Sequence, residues 1–481
     1  MRIMPAPMTT PFARCLGADP YYFSMMDTII LPARFCERLA PALAVPYRQT
    51  FETLRAGDCP MALERLAHLE AAAGGADAGL CAATGALAHT LAGNPAGAAA
   101  ALTRALAASP DCAEYHHLAG VLALRRRAVA AAMAHFQDAV RLDPTLGPAW
   151  AAMALLFTLD GQWAAVEPPA RRALALGCEL GAHLVAYGLL FSTLFEDRPV
   201  TSPFLLPPSG TIPAAAMERL LARLPAVTGS WPGAEPGPIL FVACDGVYLI
   251  EHALALLWSL EETAGECAVH LHLFNPRADD LPRLAAVAAA LRRVRISHTT
   301  ETVDVLRFGS AAVYYSCARF CRLAQFVRAT GRSALMLDAD SLFRKPPDQL
   351  PGWGRTDLDL ALFENPGAPP WEQILAWGVY AAATPQGLAF LDRVGFFVGQ
   401  NLIARKGLWF LDQIALFLAH RSLSAGLRIQ NWDSRCFDLG HGDQSLVWTV
   451  TRNKNQDSRY NDYKRALCQR HERGMAAVAP G

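Results

Sequence analysis

The chain has 481 residues, with 43 basic and 43 acidic side chains and a formal net charge of zero. That balance leaves no electrostatic footprint for a sequence-independent grip on nucleic acid, so no nucleic-acid partner is expected. Hydrophobic residues make up 53% and charged residues 18%, which excludes wholesale disorder and allows two or three packed domains.

Lys345, Lys406, Lys454 and Lys464 are the only lysines, and alanine is abundant. This bias reads as GC-rich coding in a bacterium. The twelve cysteines are scattered and never form Cys-x-x-Cys. Cys317 and Cys321 sit four apart, but no second pair completes a zinc site. Reduced thiols are expected. The N-terminus lacks the layout of a signal peptide, and no run of about twenty apolar residues predicts a transmembrane helix. The expected location is cytoplasmic, at most peripheral to the inner membrane.

Residues 1–42 show no repeat and receive no assignment. From residue 43 the chain becomes alanine-rich with a helical period. Ala98 and Ala132, Leu102 and Phe136, Ala105 and Ala139, and Pro110 and Pro144 are each 34 residues apart. That is the tetratricopeptide period. Within 113–146, Gly120, Ala132, Phe136, Ala139 and Pro144 take the small, small, aromatic, small and proline positions. Small residues let paired helices approach, and the proline stops the second helix. Three or four repeats are expected over 43–180, then a capping helix to 196. Such arrays hold extended peptides, so a peptide or protein partner is expected there.

Residues 197–237 contain Pro199, Pro203, Pro207, Pro208 and Pro213 and read as a linker with one short helix over 217–224. Beyond it strands and helices alternate. Strands are expected over 239–244, 269–274, 294–298 and 335–337, and helices over 248–260, 282–291 and 318–330. This order predicts an α/β sheet with right-handed crossovers over 238–470, followed by a tail over 471–481.

The chemistry concentrates in Ser333-Ala-Leu-Met-Leu-Asp-Ala-Asp-Ser-Leu-Phe343. An apolar strand ends in Asp338 and Asp340. Residues i and i+2 of extended chain point the same way, and two carboxylates so placed repel unless a cation lies between them. Mn and Mg take oxygen ligands and bridge to phosphate oxygens. The carboxyl end of a strand is where open α/β sheets bind ligands. Asp245 and Tyr248 follow the first strand, Arg319 and Arg322 lie on the helix before Asp338, and Glu364-Asn365 follows another apolar run. Asp412-Gln413 come soon after Trp409, and His441-Gly442 come late.

The Asp-x-Asp strand and these companions resemble GT-A-fold glycosyltransferases, especially the family of glycogenin and the lipopolysaccharide glucosyl- and galactosyltransferases. The resemblance covers residues 238–450. It implies a nucleotide-sugar donor, a UDP-sugar in the main, and a protein or glycan acceptor. It implies that the nucleotide meets Ala243, Asp245 and Tyr248, and that Arg319, Asp338 and Ala339 follow the diphosphate, with Arg322 as the alternative arginine. Asp338, Asp340 and His441 would hold Mn or Mg. Asp412, Gln413 and Glu364 would face the sugars and carry catalysis, with retention at the anomeric carbon. The family's Asn-x-Gly core is missing around Trp377-Gly378, and its late lysine is missing in register, where Lys454 or Arg452 would substitute. Read without the resemblance, Asp245 and Asp412 are helix caps, Arg319 a salt-bridge residue and His441 a loop histidine. A repeat-scaffold binding protein without turnover, and a sugar nucleotidyltransferase, are the competing functions. Asp245-Gly-Val-Tyr248 does not form the glycine-rich basic loop the latter needs.

Overall fold

The computed structural model describes residues 39–55, 58–126, 128–196, 202–233, 237–366, 368–450 and 458–478. They fall into two compact units that divide between Ser202 and Pro203.

The first unit is a stack of helical hairpins. Pro41–Arg55 pairs with Cys59–Ala72, Gly75–Leu91 with Pro95–Ala108, Ala113–Arg125 with Val129–Leu142, and Gly147–Leu159 with Trp163–Ala175; Glu179–Phe195 follows. The 34-residue spacing is visible in the helix starts, since Val129 and Trp163 open successive second helices. Phe136 is fully buried, and a Cβ on Gly120 would meet its ring at 2.5 Å. Only glycine allows that ring to close the hairpin. Pro110 and Pro144 follow the C-caps Ser109 and Asp143, beyond the last helical hydrogen bond. Trp163 packs on Phe191 at 4.9 Å and closes the stack.

The second unit is built on an eight-stranded sheet. In chain order its strands are β1 (Val227–Gly229), β2 (Ile239–Asp245), β3 (Cys267–Phe274), β4 (Val294–Glu301), β5 (Ala334–Leu337), β7 (Leu360–Glu364), β8 (Ile374–Ala381) and β9 (Ile429–Asn431). The spatial order is β1-β4-β3-β2-β5-β8-β7-β9. Strands β4, β3, β2 and β5 are parallel, β8 runs antiparallel between β5 and β7, and β9 is parallel to β7. A second sheet, β10-β11-β6, joins β6 (Leu342–Phe343), β10 (Phe437–Asp438) and β11 (Val447–Trp448). The chain is therefore a tetratricopeptide-like helical repeat unit followed by a mixed α/β unit.

The strands are apolar because both faces are covered: Ile239, Leu240, Phe241 and Val242 in β2 and Leu335, Met336 and Leu337 in β5 are buried. The Ala311–Thr330 helix starts seven residues before the expected Ala318, because Ser310 caps it by accepting from the Val313 N–H at 3.2 Å.

The stretch 197–237 differs from the expected linker. Residues 197–201 and 234–236 lie outside the described residues. From Pro203 onward the chain belongs to the α/β unit. Phe204 is buried 6.2 Å from Phe397, and Asn401 brackets Leu205 by accepting from its N–H at 2.8 Å and donating to its carbonyl at 2.9 Å. The helix Ala214–Leu221 sets Met217 and Leu220 against Gly395 and Gly399. β1 adds an antiparallel edge to β4, and Arg322 donates to the Pro225 carbonyl at 2.7 Å. Prolines make this backbone irregular without making it unpacked, because its apolar side chains still find a surface. The expected tail also differs: the helix Ser458–Val478 runs through 471, and His471 stacks on Trp258 at 4.3 Å.

Candidate active site

Strands β2, β5 and β7 point the same way, so Asp245, Asp338 and Glu364 lie along one edge of the sheet. Arg319 stands at its centre. Its guanidinium binds the Asp338 carboxylate, donates to Asp412 Oδ2 at 3.3 Å and to the Ala376 carbonyl at 3.1 Å, and its Nε donates to the Ser316 carbonyl at 2.8 Å. Three residues from three separate segments, Arg319, Asp338 and Asp412, are thereby brought into one ion triad. Asp338 keeps 32% of its side chain exposed, whereas Arg319 keeps 10% and Asp412 8%. The triad thus forms the floor of an edge that solvent reaches through Asp338.

Burial works against the Arg319 charge, but the Asp338 and Asp412 carboxylates outweigh it and raise its pKa above the ordinary value. Burial pushes the Asp412 carboxyl up, and Arg319 pulls it back only in part. Asp412 opens the helix Leu411–Leu423, where the positive helix end favours an anion. The residue before that helix, Phe410, has a left-handed φ of 67°. Gln413 is buried beside it, its N–H donating to Asp412 Oδ1 at 2.9 Å.

Arg322 turns to the other side of the same helix. Its Nε donates to Glu301 at 2.7 Å, and Tyr314 donates to the same carboxylate at 2.8 Å. Burial opposes the Glu301 charge, but His272, Arg322 and Tyr314 outweigh it and hold its carboxyl below the usual range. Arg322 therefore holds the helix on the sheet, and Arg319 is the arginine that faces Asp338.

The small sheet carries the other half of the site. β6 begins two residues after Asp340, and the loop between β10 and β11 carries His441. Tyr460 donates to the Asp340 carbonyl at 2.8 Å, and the His441 ring lies 5.5 Å from Tyr460 and 5.4 Å from Trp448. His441 adopts φ 55°, in the left-handed region. Asp438 holds the loop: it accepts from the N–H groups of Gly440 and Gly442, each at 2.7 Å, and from the Ser445 hydroxyl. Burial raises the Asp438 carboxyl, but these donors outweigh it and leave it below the usual range. Sequence reading missed Asp438 and Tyr460. The glycines flanking His441, with an Asp and a Ser close by, were the available signal for the first; nothing local signalled the second.

Asp338, Asp340 and His441 do not come together as a metal centre: among the described residues no three His, Cys, Asp or Glu side chains do so. Taken singly, two carboxylates and an imidazole are donors of the kinds that divalent ions accept. His441 Nε2 lies 2.9 Å from the Thr449 carbonyl, which only accepts, so that ring nitrogen donates its proton there. A carbonyl on the far ring nitrogen is how metal-ligating imidazoles are oriented. Asp340 and His441 are buried, and Asp338 reaches solvent.

The remaining expected residues are distributed as follows. Asp245 caps the turn after β2 by accepting from the Tyr248 N–H at 2.8 Å; Tyr248 is 39% exposed. Ala243 lies in β2 and the buried Ala339 in the turn between the two aspartates. Glu364 ends β7, two strands from β5, and accepts from Asn431 at 3.2 Å. Arg452 and Lys454 lie outside the described residues. None of the ten described cysteines is disulfide-bonded, and among the described residues no helix is long and apolar enough to cross a membrane.

No protein-family model matches the sequence, and neither does any curated protein. The solved structures similar to this chain include glycosyltransferases and tetratricopeptide-repeat proteins. The bifunctional glycosyltransferase WbbM is 12% identical over 50% of this chain, with a TM-score of 0.37; the chain spans about half of that protein, 51%. The galactosyltransferase LgtC, solved with donor and acceptor sugar analogues, is 16% identical over 48% of this chain and 96% of its own, with a TM-score of 0.34. The type IV pilus biogenesis factor PilW is 21% identical over 32% of this chain and 72% of its own, with a TM-score of 0.29.

Proposed function

We propose that the α/β unit is a metal-dependent glycosyltransferase that moves a sugar from a nucleotide-sugar, a UDP-sugar first of all, to a protein or glycan acceptor held by the repeats. The observation that carries this reading is the Asp338–Arg319–Asp412 triad at the ligand edge of the sheet. Three charged groups are expensive to desolvate, and this chain keeps them where a doubly wound sheet binds its ligand.

Asp338, Asp340 and His441 would hold Mn or Mg, which supplies charge neutralisation for a leaving diphosphate. Tyr248 offers an exposed ring for the base, with Asp245 and Ala243 beside the ribose. Arg319 fixes the rotamers of Asp338 and Asp412 at once. Asp412 and Gln413 face the transferred sugar, and Glu364, further along the edge, suits an acceptor hydroxyl. A retaining reaction would use Asp412 or Glu364 as nucleophile or proceed by front-side displacement; an inverting one would use either as base.

One observation favours the second reading, a binding protein without turnover: Asp338 is already ion-paired with Arg319. Slow hydrolysis of UDP-sugars with Mn separates the two. The assignment predicts that Asp340→Asn weakens Mn-dependent UDP binding by more than ~100-fold, since even outer-shell partners are worth ~10–100-fold. Apo melting should hardly change. Wild-type-like Mn and UDP affinity in calorimetry would remove Asp340 from the site.

The repeat unit is proposed to raise the local concentration of acceptor. Residues 203–481 expressed alone should keep full UDP and Mn affinity and lose most transfer to the native acceptor. A fragment beginning at 238 should fare worse in stability, because it strips Met217, Leu220 and β1 from the sheet unit. Transfer by 203–481 at the full-chain rate would assign the repeats another role, such as localisation.

A further inference from the structure

Three strands leave the sheet side by side. Asp245 of β2 stands opposite Phe274 of β3, and Phe274 opposite Glu301 of β4. The turn after β2, Asp245-Gly-Val-Tyr248, is closed from within by the Tyr248 N–H donating to Asp245 Oδ1. A second hold comes from the loop after β3. Arg277 Nη2 donates to the Gly246 carbonyl at 2.8 Å. The same guanidinium grips Asp280, with Nη2 donating to Oδ1 at 3.0 Å and Nε at 3.2 Å, while the Arg277 N–H donates to Oδ2 at 2.7 Å.

Gly246 is what lets the two loops meet. It is buried, and a Cβ there would stand 2.0 Å from Asp280 Oδ2 and 3.2 Å from Arg277 Nε. No side chain fits in that space. The loop that supplies Arg277 is itself braced on its other side. Asn275, at φ 47°, accepts from the Val303 N–H at 2.7 Å and donates to the Val303 carbonyl at 2.9 Å and to the Tyr315 hydroxyl at 3.1 Å. Asn275 to Arg277 thus tie the segment after β4 to the turn after β2.

The turn so held presents apolar surface at the ligand edge. Val247 is 46% exposed and Tyr248 39%. The helix that follows starts with a widened turn over Leu249–Ala253, in which the Leu254 N–H reaches back five residues to the Leu249 carbonyl. Such turns are rare and recur at functional sites. Arg277 keeps 57% of its side chain in solvent, so as an ion pair it is screened and contributes modestly to the fold. Its bond to the Gly246 carbonyl differs in kind, because it sets where a turn stands.

We propose that Arg277 and Asp280 form a latch that positions the Asp245–Tyr248 turn for the base and ribose of a nucleotide. This inference rests on the nucleotide-sugar reading of that edge. The latch holds the Tyr248 ring out for the base. Asp245 spends Oδ1 on the Tyr248 N–H, and its second oxygen suits a ribose hydroxyl. Arg277 and Asp280 are positioning residues, acting through the turn without touching the ligand. A turn ordered beforehand spares the nucleotide the entropic cost of ordering it on binding.

Arg277→Met removes the donor to Gly246 and leaves Asp280 the residue 277 N–H. Calorimetric titration of UDP into the full chain, with and without Mn, should show binding about 10-fold weaker than in the wild type, inside the range for residues that share contacts. Gly246→Ala forces the latch open from the other side and should show the same loss. Combining the two should add little. Tyr248→Ala should itself weaken UDP binding, and in that background Arg277→Met should cost less than ~2-fold, because the ring it positions has gone. A general defect of the fold would cost the same in both backgrounds, so this comparison decides even where a variant melts lower. Wild-type UDP affinity in Arg277→Met and Gly246→Ala, or an equal loss with and without Tyr248, would overturn the latch and leave the nucleotide reading standing. Failure of the wild type to bind UDP under either condition would overturn that reading and the latch with it.

Discussion

Arg319→Met is expected to lower the stability of the α/β unit by about 3–5 kcal/mol at neutral pH, the usual cost of removing one partner of a buried ion pair. The guanidinium serves Asp338 and Asp412 together, and methionine nearly preserves its volume. The loss therefore reports charge and hydrogen bonding more than a cavity. Without Arg319, only the Gln413 N–H and the helix start oppose the burial of Asp412, and its carboxyl, already raised, must rise further. A carboxyl whose folded pKa exceeds its unfolded value binds more protons in the folded state. Stability then falls as pH rises through that window, so the penalty of the variant is largest at neutral pH and shrinks as acid protonates Asp412. Arg319→Met with Asp412→Asn should recover much of the loss, because the two groups are directly coupled. Urea unfolding of 203–481 at neutral and acid pH measures all three. A variant that loses nothing at neutral pH, or loses the same at every pH, would mean that Arg319 does not neutralise the triad.

The same triad marks where sequence reading reaches its limit. The 34-residue recurrence was legible because each hairpin repeats one local solution: Gly120 makes room for Phe136, and Pro144 ends the helix. Strand–helix alternation was legible for a similar reason, since β2 and β5 are apolar runs that end in acids. Asp338, Arg319 and Asp412 each stood out on local pattern. Their joining into one cluster did not, because it depends on packing across 93 residues of sequence. The stretch 203–233 misled for the converse reason. Its prolines are a local signal of broken helix, whereas its docking depends on Gly395 and Gly399 far along the chain, which carve the surface for Met217 and Leu220. Asp438 and Tyr460 were hidden in the same way: one shapes the His441 loop through backbone amides, the other reaches Asp340 from the last described helix.

Acid should weaken the repeat unit most of all through His117, whose pKa burial lowers to about 4, with His135 lowered as well. His117 lies on Ala113–Arg125, is buried with its ring 5.4 Å from Phe136, and neither ring nitrogen has a hydrogen-bond partner among the described residues. Burial lowers its pKa from 6.5 to about 4. Between those values the unfolded chain takes up a proton that the folded hairpin refuses. Stability is therefore full above pH 6.5 and declines as pH falls, by about 3 kcal/mol at pH 4, since one pKa unit is ~1.4 kcal/mol. His117→Leu removes the titration and two unsatisfied nitrogens while keeping an apolar contact for Phe136. It should stabilise residues 1–202 at neutral pH and flatten this part of their pH dependence. Every other residue is common to both proteins, so its contribution cancels in the difference. Urea unfolding of wild type and variant at several pH values between 7 and 4 gives two curves that should diverge steadily towards acid. Parallel curves would mean that His117 takes its proton in the folded hairpin, with the ring reaching water beside Gly120. The Phe136 packing on which the repeat register rests would then be looser than its complete burial implies.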